Sequence, residues 1–272
     1  MCKGLVKSIL SRSSFLQTLI FKLERWLREY LYSKMSHEKF NHFLELLTPE
    51  SSEGIKFSRK GSINDGGYVF CDFQKQYSKL ISFGVGDNVD FEYAISSLVN
   101  SIDLYDPTVD KLPRKIENAN FHKIGLGPHF GNGFLTLYDA TKNSLPDNQL
   151  LLKIDIEGGE WDSIVATDLE LLTSFSQIFL ELHNLHKIYD QLILSKYILT
   201  LEKLRHNHDI VSVHANNWSA YSVIQGVPLP DTIEVTLLRR DNHLNKRNST
   251  DFNAKDFQSP NNPDKPDYHI IF

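Results

Sequence analysis

Five side chains able to hold a metal ion or move a proton fall in three short stretches of this sequence. Asp155 and Glu157 lie in Lys153-Ile154-Asp155-Ile156-Glu157-Gly158-Gly159-Glu160-Trp161, Glu181 and His183 in Leu180-Glu181-Leu182-His183, and His214 precedes Asn216 and Asn217. Such groups suit two chemistries: they can share a divalent cation, or one of them can take the proton of a weak nucleophile such as a hydroxyl. The acids end an apolar run (Leu150, Leu151, Leu152, Ile154, Ile156). A carboxylate buried there without a partner is costly. Taken singly, Asp155 or His183 also suits a helix cap or a satisfied core position. Five such groups at three consecutive strand ends point to a site.

A second constellation lies upstream. Ser82-Phe83-Gly84-Val85-Gly86-Asp87 ends one apolar run, and Leu104-Tyr105-Asp106-Pro107 ends the next. Glycines at alternate positions let a ligand approach the backbone, and the following helix offers free N–H groups. Asp106, about twenty residues on, suits two ribose hydroxyls, although Asp-Pro is also a turn signal. Both NAD and S-adenosylmethionine fit this pair of features. The third glycine of the dinucleotide fingerprint is absent, with Asn88, Val89 and Asp90 in its place. That favours the methyl donor, which has no pyrophosphate to cradle.

These residues must be positioned by strands alternating with helices. The pattern predicts strands at 79–85, 101–105, 121–124, 150–156, 177–182, 210–214 and 232–238, with helices at 91–99, 160–172 and 186–205. Alternation of this kind predicts an α/β, doubly wound sheet, mostly parallel. No helix separates the last two strands, only a connection through Gly226, Pro228 and Pro230, so one antiparallel strand is expected. In a strand, residues i and i+2 share a face, so Asp155 pairs with Glu157 and Glu181 with His183. Ligands of open α/β sheets bind outside the carboxyl ends of the strands, where both constellations fall.

The 272 residues are 41% hydrophobic and 23% charged, enough for one sizeable core and unlike a disordered chain. The net charge of −5 argues against general nucleic-acid binding, which needs a basic surface. Cys2 and Cys71 form no CxxC zinc pattern, and no structural disulfide is expected between them. Low cysteine usage fits a reducing compartment. With neither a transmembrane run nor a signal-peptide layout, a cytoplasmic location is expected, peripheral at the inner face of a membrane if the first helix binds one. That helix lies in residues 1–35, which carry seven basic and two acidic residues, +5 net, so the rest of the chain carries −10. Leu16, Leu19, Ile20, Leu23, Trp26, Leu27, Tyr30 and Leu31 recur there at helical spacing. Residues 1–50 therefore read as a basic amphipathic helical extension. It packs on the domain or a second subunit, or lies on an anionic membrane. Residues 51–272 read as the α/β domain, with an irregular tail after Arg240 ending in an apolar anchor, Tyr268–Phe272.

The stretch Leu151–Trp161 resembles the hallmark motif of FkbM-type S-adenosylmethionine-dependent methyltransferases. Asn64-Asp65-Gly66-Gly67-Tyr68-Val69 resembles the element before their cofactor loop, and Phe83–Asp87 with Phe91-Glu92 resembles the loop itself. Asn261–Tyr268 resembles the tail of a branch related to methyltransferase-like proteins. The resemblance runs from Gly61 to Phe272. It implies a class I methyltransferase Rossmann-like fold and O-methyl transfer to a sugar or glycan acceptor. It implies that Gly84, Gly86 and Asp106 contact the cofactor, with Asp65, Phe83, Pro107 and Asp155 as further cofactor residues. Metal-dependent O-methyltransferases of this fold carry carboxylates after strands 4 and 5. By that likeness Asp155, Glu181 and His183 hold Mg²⁺ or Mn²⁺, the imidazole favouring Mn²⁺. The metal-free alternative uses His183 or His214 as base, with Glu157 orienting it. The metal version is preferred, because several carboxylates without a cation repel one another. Two other readings are a nicotinamide-dependent oxidoreductase, which lacks a third glycine and an evident Tyr-x-x-x-Lys pair here, and a non-catalytic interaction module of the same fold.

Overall fold

Seven runs, most of them rich in Leu, Ile, Val and Phe, pair into one sheet in this computed structural model, which describes residues 14–50, 54–241, 253–268 and 270. The strands are β1 (Tyr77–Phe83), β2 (Val99–Tyr105), β3 (Ala119–His122), β4 (Leu150–Ile154), β5 (Phe175–Leu182), β6 (His208–Ala215) and β7 (Ile233–Arg239). Their order is β3-β2-β1-β4-β5-β7-β6. All are parallel except β7, which runs antiparallel between β5 and β6. This is the Rossmann order 3-2-1-4-5-6 with a seventh strand inserted. It is the class I methyltransferase Rossmann-like sheet that the sequence predicts.

Alternate residues supply the two faces, because strand side chains point up and down in turn. Ile81 and Phe83 join Leu150, Leu152, Ile154, Ile178 and Leu180 in one apolar cluster. Leu80 joins Ile102, Leu104, Leu151 and Phe179 in another. The flanking helices are α1 (Ser14–Ser33), α2 (His37–Leu47), α3 (Asp90–Ile95), α4 (Leu137–Thr141), α5 (Glu160–Ala166), α6 (Leu169–Leu172) and α7 (Gln191–Arg205). Ser36 caps α2, and Phe40, Phe43 and Leu47 on α2 are buried in the first cluster. The second half of the expected extension therefore packs into the core of the domain.

All three predicted helices are divided or cut short: the stretch 91–99 is α-helical only to Ile95, becomes a 3₁₀ turn at Ser96–Leu98 and gives Val99 to β2. The stretch 160–172 breaks at Thr167-Asp168, where the backbone turns extended. The stretch 186–205 begins as a 3₁₀ turn, Leu185–Tyr189, before Asp190 caps α7 by accepting from Leu192 N–H and Ile193 N–H. Two hairpins escape the sequence reading. One pairs Phe57–Gly61 with Gly67–Cys71, and the other pairs Tyr221–Ile224 with Val227–Pro230. The second turns at Gln225-Gly226, both with positive φ (52° and 87°). That is the conformation two-residue hairpin turns require. Of the expected apolar anchor Tyr268–Phe272, Tyr268 and Ile270 lie within the described residues and the rest outside them. Ile270 packs against the first cluster.

β6 carries a buried titratable group. His208 is fully buried, its Nε2–H donating to Phe175 O at 2.8 Å while Nδ1 has no partner among the described residues. Burial pulls its pKa down to about 4, against the bond to Phe175, which favours the charged form. The unfolded chain binds this proton first, so the contribution is complete above about pH 6.5 and is lost as pH falls toward 4. At about 1.4 kcal/mol per unit this amounts to about 3 kcal/mol. His208→Gln should remove it. In urea unfolding, the wild-type protein should lose about 3 kcal/mol more than the variant between those pH values.

Candidate functional site

At the carboxyl end of β1 the chain makes a turn that only glycine can make. Gly84 has φ +81°, and a Cβ there would lie 1.6 Å from Asp155 O. The close approach lets Asp155 N–H donate to Phe83 O (3.1 Å), while Gly84 N–H donates to Tyr105 O (3.0 Å). Beneath the turn Lys153, only 4% exposed, donates to Gly84 O at 2.7 Å. Its ammonium lies 3.6 Å from Glu92 Oε1 and 3.7 Å from Asp155 Oδ2. Burial opposes the charge on Lys153, but Glu92, Asp155 and Glu181 outweigh it and hold the pKa above the ordinary lysine value. Glu92 is itself buried and accepts from Ser82 Oγ at 2.6 Å.

Asp106, at the end of β2, closes the loop from the other side. One carboxylate oxygen accepts from Val85 N–H and Gly86 N–H, both at 2.9 Å. The other accepts from Thr108 N–H (2.7 Å) and Thr108 Oγ1 (2.6 Å). Burial raises its pKa, but the bonds from Gly86, Thr108 and Val85 overcome this and keep it below the usual carboxylate value. A carboxylate offers about four acceptor positions, all taken here. Asp106 thus positions the glycine loop while it lines the cavity beside it. Asn88, in place of the third glycine, donates from Nδ2 to Asp65 O (3.1 Å) and so ties the Asn64–Gly66 turn of the first hairpin to the loop.

These elements enclose a cavity of about 460 Å³, within the range of small-molecule sites. Asp65, Gly84, Gly86, Asp106, Pro107 and Asp155 all line it. Its apolar lining includes Pro107, Leu126 and Phe134, and Pro107 and Phe134 both flank Gly125. Phe83 does not reach it: this ring is buried and stacks on Tyr105, centroids 4.8 Å apart. It sits inward because it precedes the turn, where side chains still alternate into the core.

A second cavity, of about 440 Å³, adjoins the first. Asp65, Asp155 and Glu157 line both, and Glu181, His183, Asn216, Trp218, Ser219 and Thr232 complete it. Asp155, Glu181 and His183 offer one ligand atom each, all within 4.8 Å of one another. Glu160, at the start of α5, organises this group. Its Oε1 accepts from Ile156 N–H (3.0 Å) and Gly158 N–H (3.1 Å) and contacts His183 Nδ1 at 3.0 Å. Its Oε2 is buried without a partner among the described residues. Glu157 takes φ +58° and leaves its carboxylate exposed, 3.6 Å from His183 Nε2. Burial disfavours the imidazolium, but Glu160, Glu181 and Asp155 outweigh it and raise the His183 pKa to about 9. Glu181 is pushed well above its ordinary value by burial, Asp155 and Glu234, against His183 and Asn216.

His214 stands apart from this group. β7 lies between β5 and β6, so Glu234 faces Glu181 on one side and His214 on the other. His214 Nδ1 lies 3.4 Å from Glu234 and Nε2 3.0 Å from Asp267, and the residue is buried. With a carboxylate on each ring nitrogen and a strand in between, His214 has no access to an acceptor proton. It neutralises Glu234, which would otherwise repel Glu181 across the ladder. Asn261 from the tail donates to Glu234 Oε1 (2.6 Å) and Asp65 Oδ1 (3.1 Å). Lys153, Glu160 and Asn261 are the functional residues that sequence reasoning missed. For Glu160 the signal was an acid in the first turn of a helix beside two glycines.

No protein-family model and no curated protein matches the chain. Among solved structures, it is similar to an rRNA methylase from Streptococcus thermophilus, with 11% identity, 61% of this chain and 88% of that chain covered, and a TM-score of 0.37. It is also similar to the N-methyltransferase NodS from Bradyrhizobium japonicum, with 8% identity, 61% and 86% covered, and a TM-score of 0.33. The YcgJ protein from Bacillus subtilis gives 10% identity, 62% and 94% covered, and a TM-score of 0.37. The strand order itself defines the fold.

Removing Lys153 leaves Glu92 buried without its cation. Lys153→Ala should cost about 3–5 kcal/mol in urea unfolding, and adding Glu92→Gln to it should return part of that loss. An unchanged midpoint in Lys153→Ala would remove the ammonium from its place in the loop.

Proposed function

We propose that the protein is an S-adenosylmethionine-dependent O-methyltransferase acting on a hydroxyl of a sugar or glycan, with a divalent cation held by Asp155, Glu181 and His183. The observation that carries this reading is the joining of two cavities at Asp65, Asp155 and Glu157. One is built from a glycine loop with an apolar lining suited to adenine. The other is lined by carboxylates. A methyl donor in the first would present its sulfonium at the boundary, next to an acceptor in the second.

The reaction forms a bond between acceptor oxygen and methyl carbon and breaks the carbon–sulfur bond. S-adenosylhomocysteine leaves, and the acceptor gives up a proton. In-line approach supplies much of the rate, so the principal task of these residues is placement. Asp65 and Asp155 would hold the cofactor's ammonium and sulfonium from the cavity wall. Glu157, the exposed carboxylate at the boundary, accepts the acceptor's proton, and Trp218 offers the acceptor an apolar face.

The donor set fits a metal ion. Two carboxylates and an imidazole converge, and Glu160 takes His183 Nδ1, leaving Nε2 toward Glu181 and Glu157. A carboxylate on the far nitrogen is the usual way a ligating histidine is oriented. Bound there, Mn²⁺ or Mg²⁺ would act as a Lewis acid toward the acceptor's hydroxyl.

Calorimetry should detect binding of S-adenosylhomocysteine and none of NAD. Asp106→Ala should weaken that binding by about 1–3 kcal/mol, because the loop's N–H groups lose their acceptor. Glu181→Gln should leave it unchanged while lowering methyl transfer from labelled donor to a glycan panel by about 100-fold or more. NAD binding without S-adenosylhomocysteine binding would favour an oxidoreductase. Methyl transfer that survives chelation and Glu181→Gln would remove the cation.

A further inference from the structure

The anchor of α1 on the domain lies at its carboxyl end. Tyr32 is buried near its last turn, donating from its hydroxyl to His186 O at 2.8 Å and packing edge-on against Tyr189. Just beyond, Met35 is buried and its carbonyl accepts from Gln225 Nε2 at 3.0 Å. Upstream of that anchor, Leu19, Leu23, Trp26, Leu27 and Tyr30 are 48–61% exposed. At 3.6 residues per turn these five fall in an arc about 100° wide, one continuous apolar stripe. Isolated exposed apolar side chains need no explanation, but a contiguous stripe marks an interaction surface.

Charge decides what kind of surface fits. Residues 1–35 carry +5 while the remaining chain carries −10. Lys22 flanks the stripe and is exposed, and Lys34 lies 5.5 Å above the ring of Tyr30. Trp26 and Tyr30 stack with ring centroids 5.8 Å apart. Paired aromatics with flanking lysines are the composition of the bilayer interface, where rings sit at headgroup depth and ammonium groups reach anionic phosphates. A second copy of this chain would bring the same positive charge against itself. No helix of the described residues is long and apolar enough to cross a membrane, so the fitting geometry is a helix lying in the interface plane.

We propose that α1 docks the protein on an anionic lipid bilayer through Leu19, Leu23, Trp26, Leu27 and Tyr30. The inference does not rest on the methyl-transfer reading. The same segment leads to the acceptor side: Gln225, which holds the end of α1, belongs to the hairpin that follows Trp218 and Ser219 of the second cavity.

The test uses the full chain with sucrose-loaded vesicles of phosphatidylcholine alone or with one third phosphatidylserine. Co-sedimentation should rise about tenfold or more with phosphatidylserine and fall again in high salt, since each basic residue near an anionic surface adds several-fold. Brominated acyl chains should quench tryptophan fluorescence, and Trp26→Phe should remove most of that quenching. Leu23→Glu with Leu27→Glu should abolish binding while circular dichroism and the urea midpoint stay unchanged. Absence of binding to the anionic vesicles overturns the proposal. So does sedimentation showing a dimer that the same double variant dissolves, which would assign the stripe to a second copy.

Discussion

Lys153 keeps its charge where almost no water reaches it, and the shape of the first cavity follows from how that charge is satisfied. Its ammonium binds Gly84 O and faces Glu92 and Asp155. One contact fixes the glycine turn after β1. The others neutralise acids that would otherwise be expelled from the interior or protonated. Gly84 then approaches Asp155 O so closely that no side chain is tolerated, and β1 and β4 end in register beneath the first cavity. Asp106 completes the loop with its four bonds to Val85, Gly86 and Thr108. The first cavity is in this sense assembled by one buried cation and one saturated carboxylate.

The antiparallel strand β7 decides the second cavity. Its insertion beside β5 moves β6 one strand farther away and puts Glu234 opposite Glu181. The protein answers this pair of like charges with Asn216 on Glu181, and with His214 and Asn261 on Glu234. Asn261 also reaches Asp65, so the tail helps set a carboxylate shared by both cavities. Glu160 does the matching work on the other side, joining the β4 loop to His183 through one oxygen. An acidic cavity held open in this way is suited to a cation.

Much of this was legible in the sequence. Seven apolar runs with acids or glycines at their ends are enough for a doubly wound sheet, and the missing helix before the last strand signals the antiparallel partner. Asp155, Glu181 and His183 could be grouped because strand periodicity and adjacency are local rules. Strand order is not local. Nothing in the spacing of His214 reveals that β7 intervenes, so its exclusion from the site is visible only in three dimensions. The same holds for Lys153, whose partners Glu92 and Gly84 lie far upstream, Gly84 by 69 residues. Phe83 illustrates the opposite error: it borders the loop in sequence but precedes the turn, and so points into the core.

In the proposed reaction the two cavities form one path crossing at Asp65, Asp155 and Glu157. A crystal structure with S-adenosylhomocysteine and Mn²⁺ tests it most directly. Adenine should then lie between Pro107, Leu126 and Phe134, sulfur at that crossing, and anomalous density among Asp155, Glu181 and His183. A ligand seated with its sulfur away from the carboxylates, or in neither cavity, would contradict it.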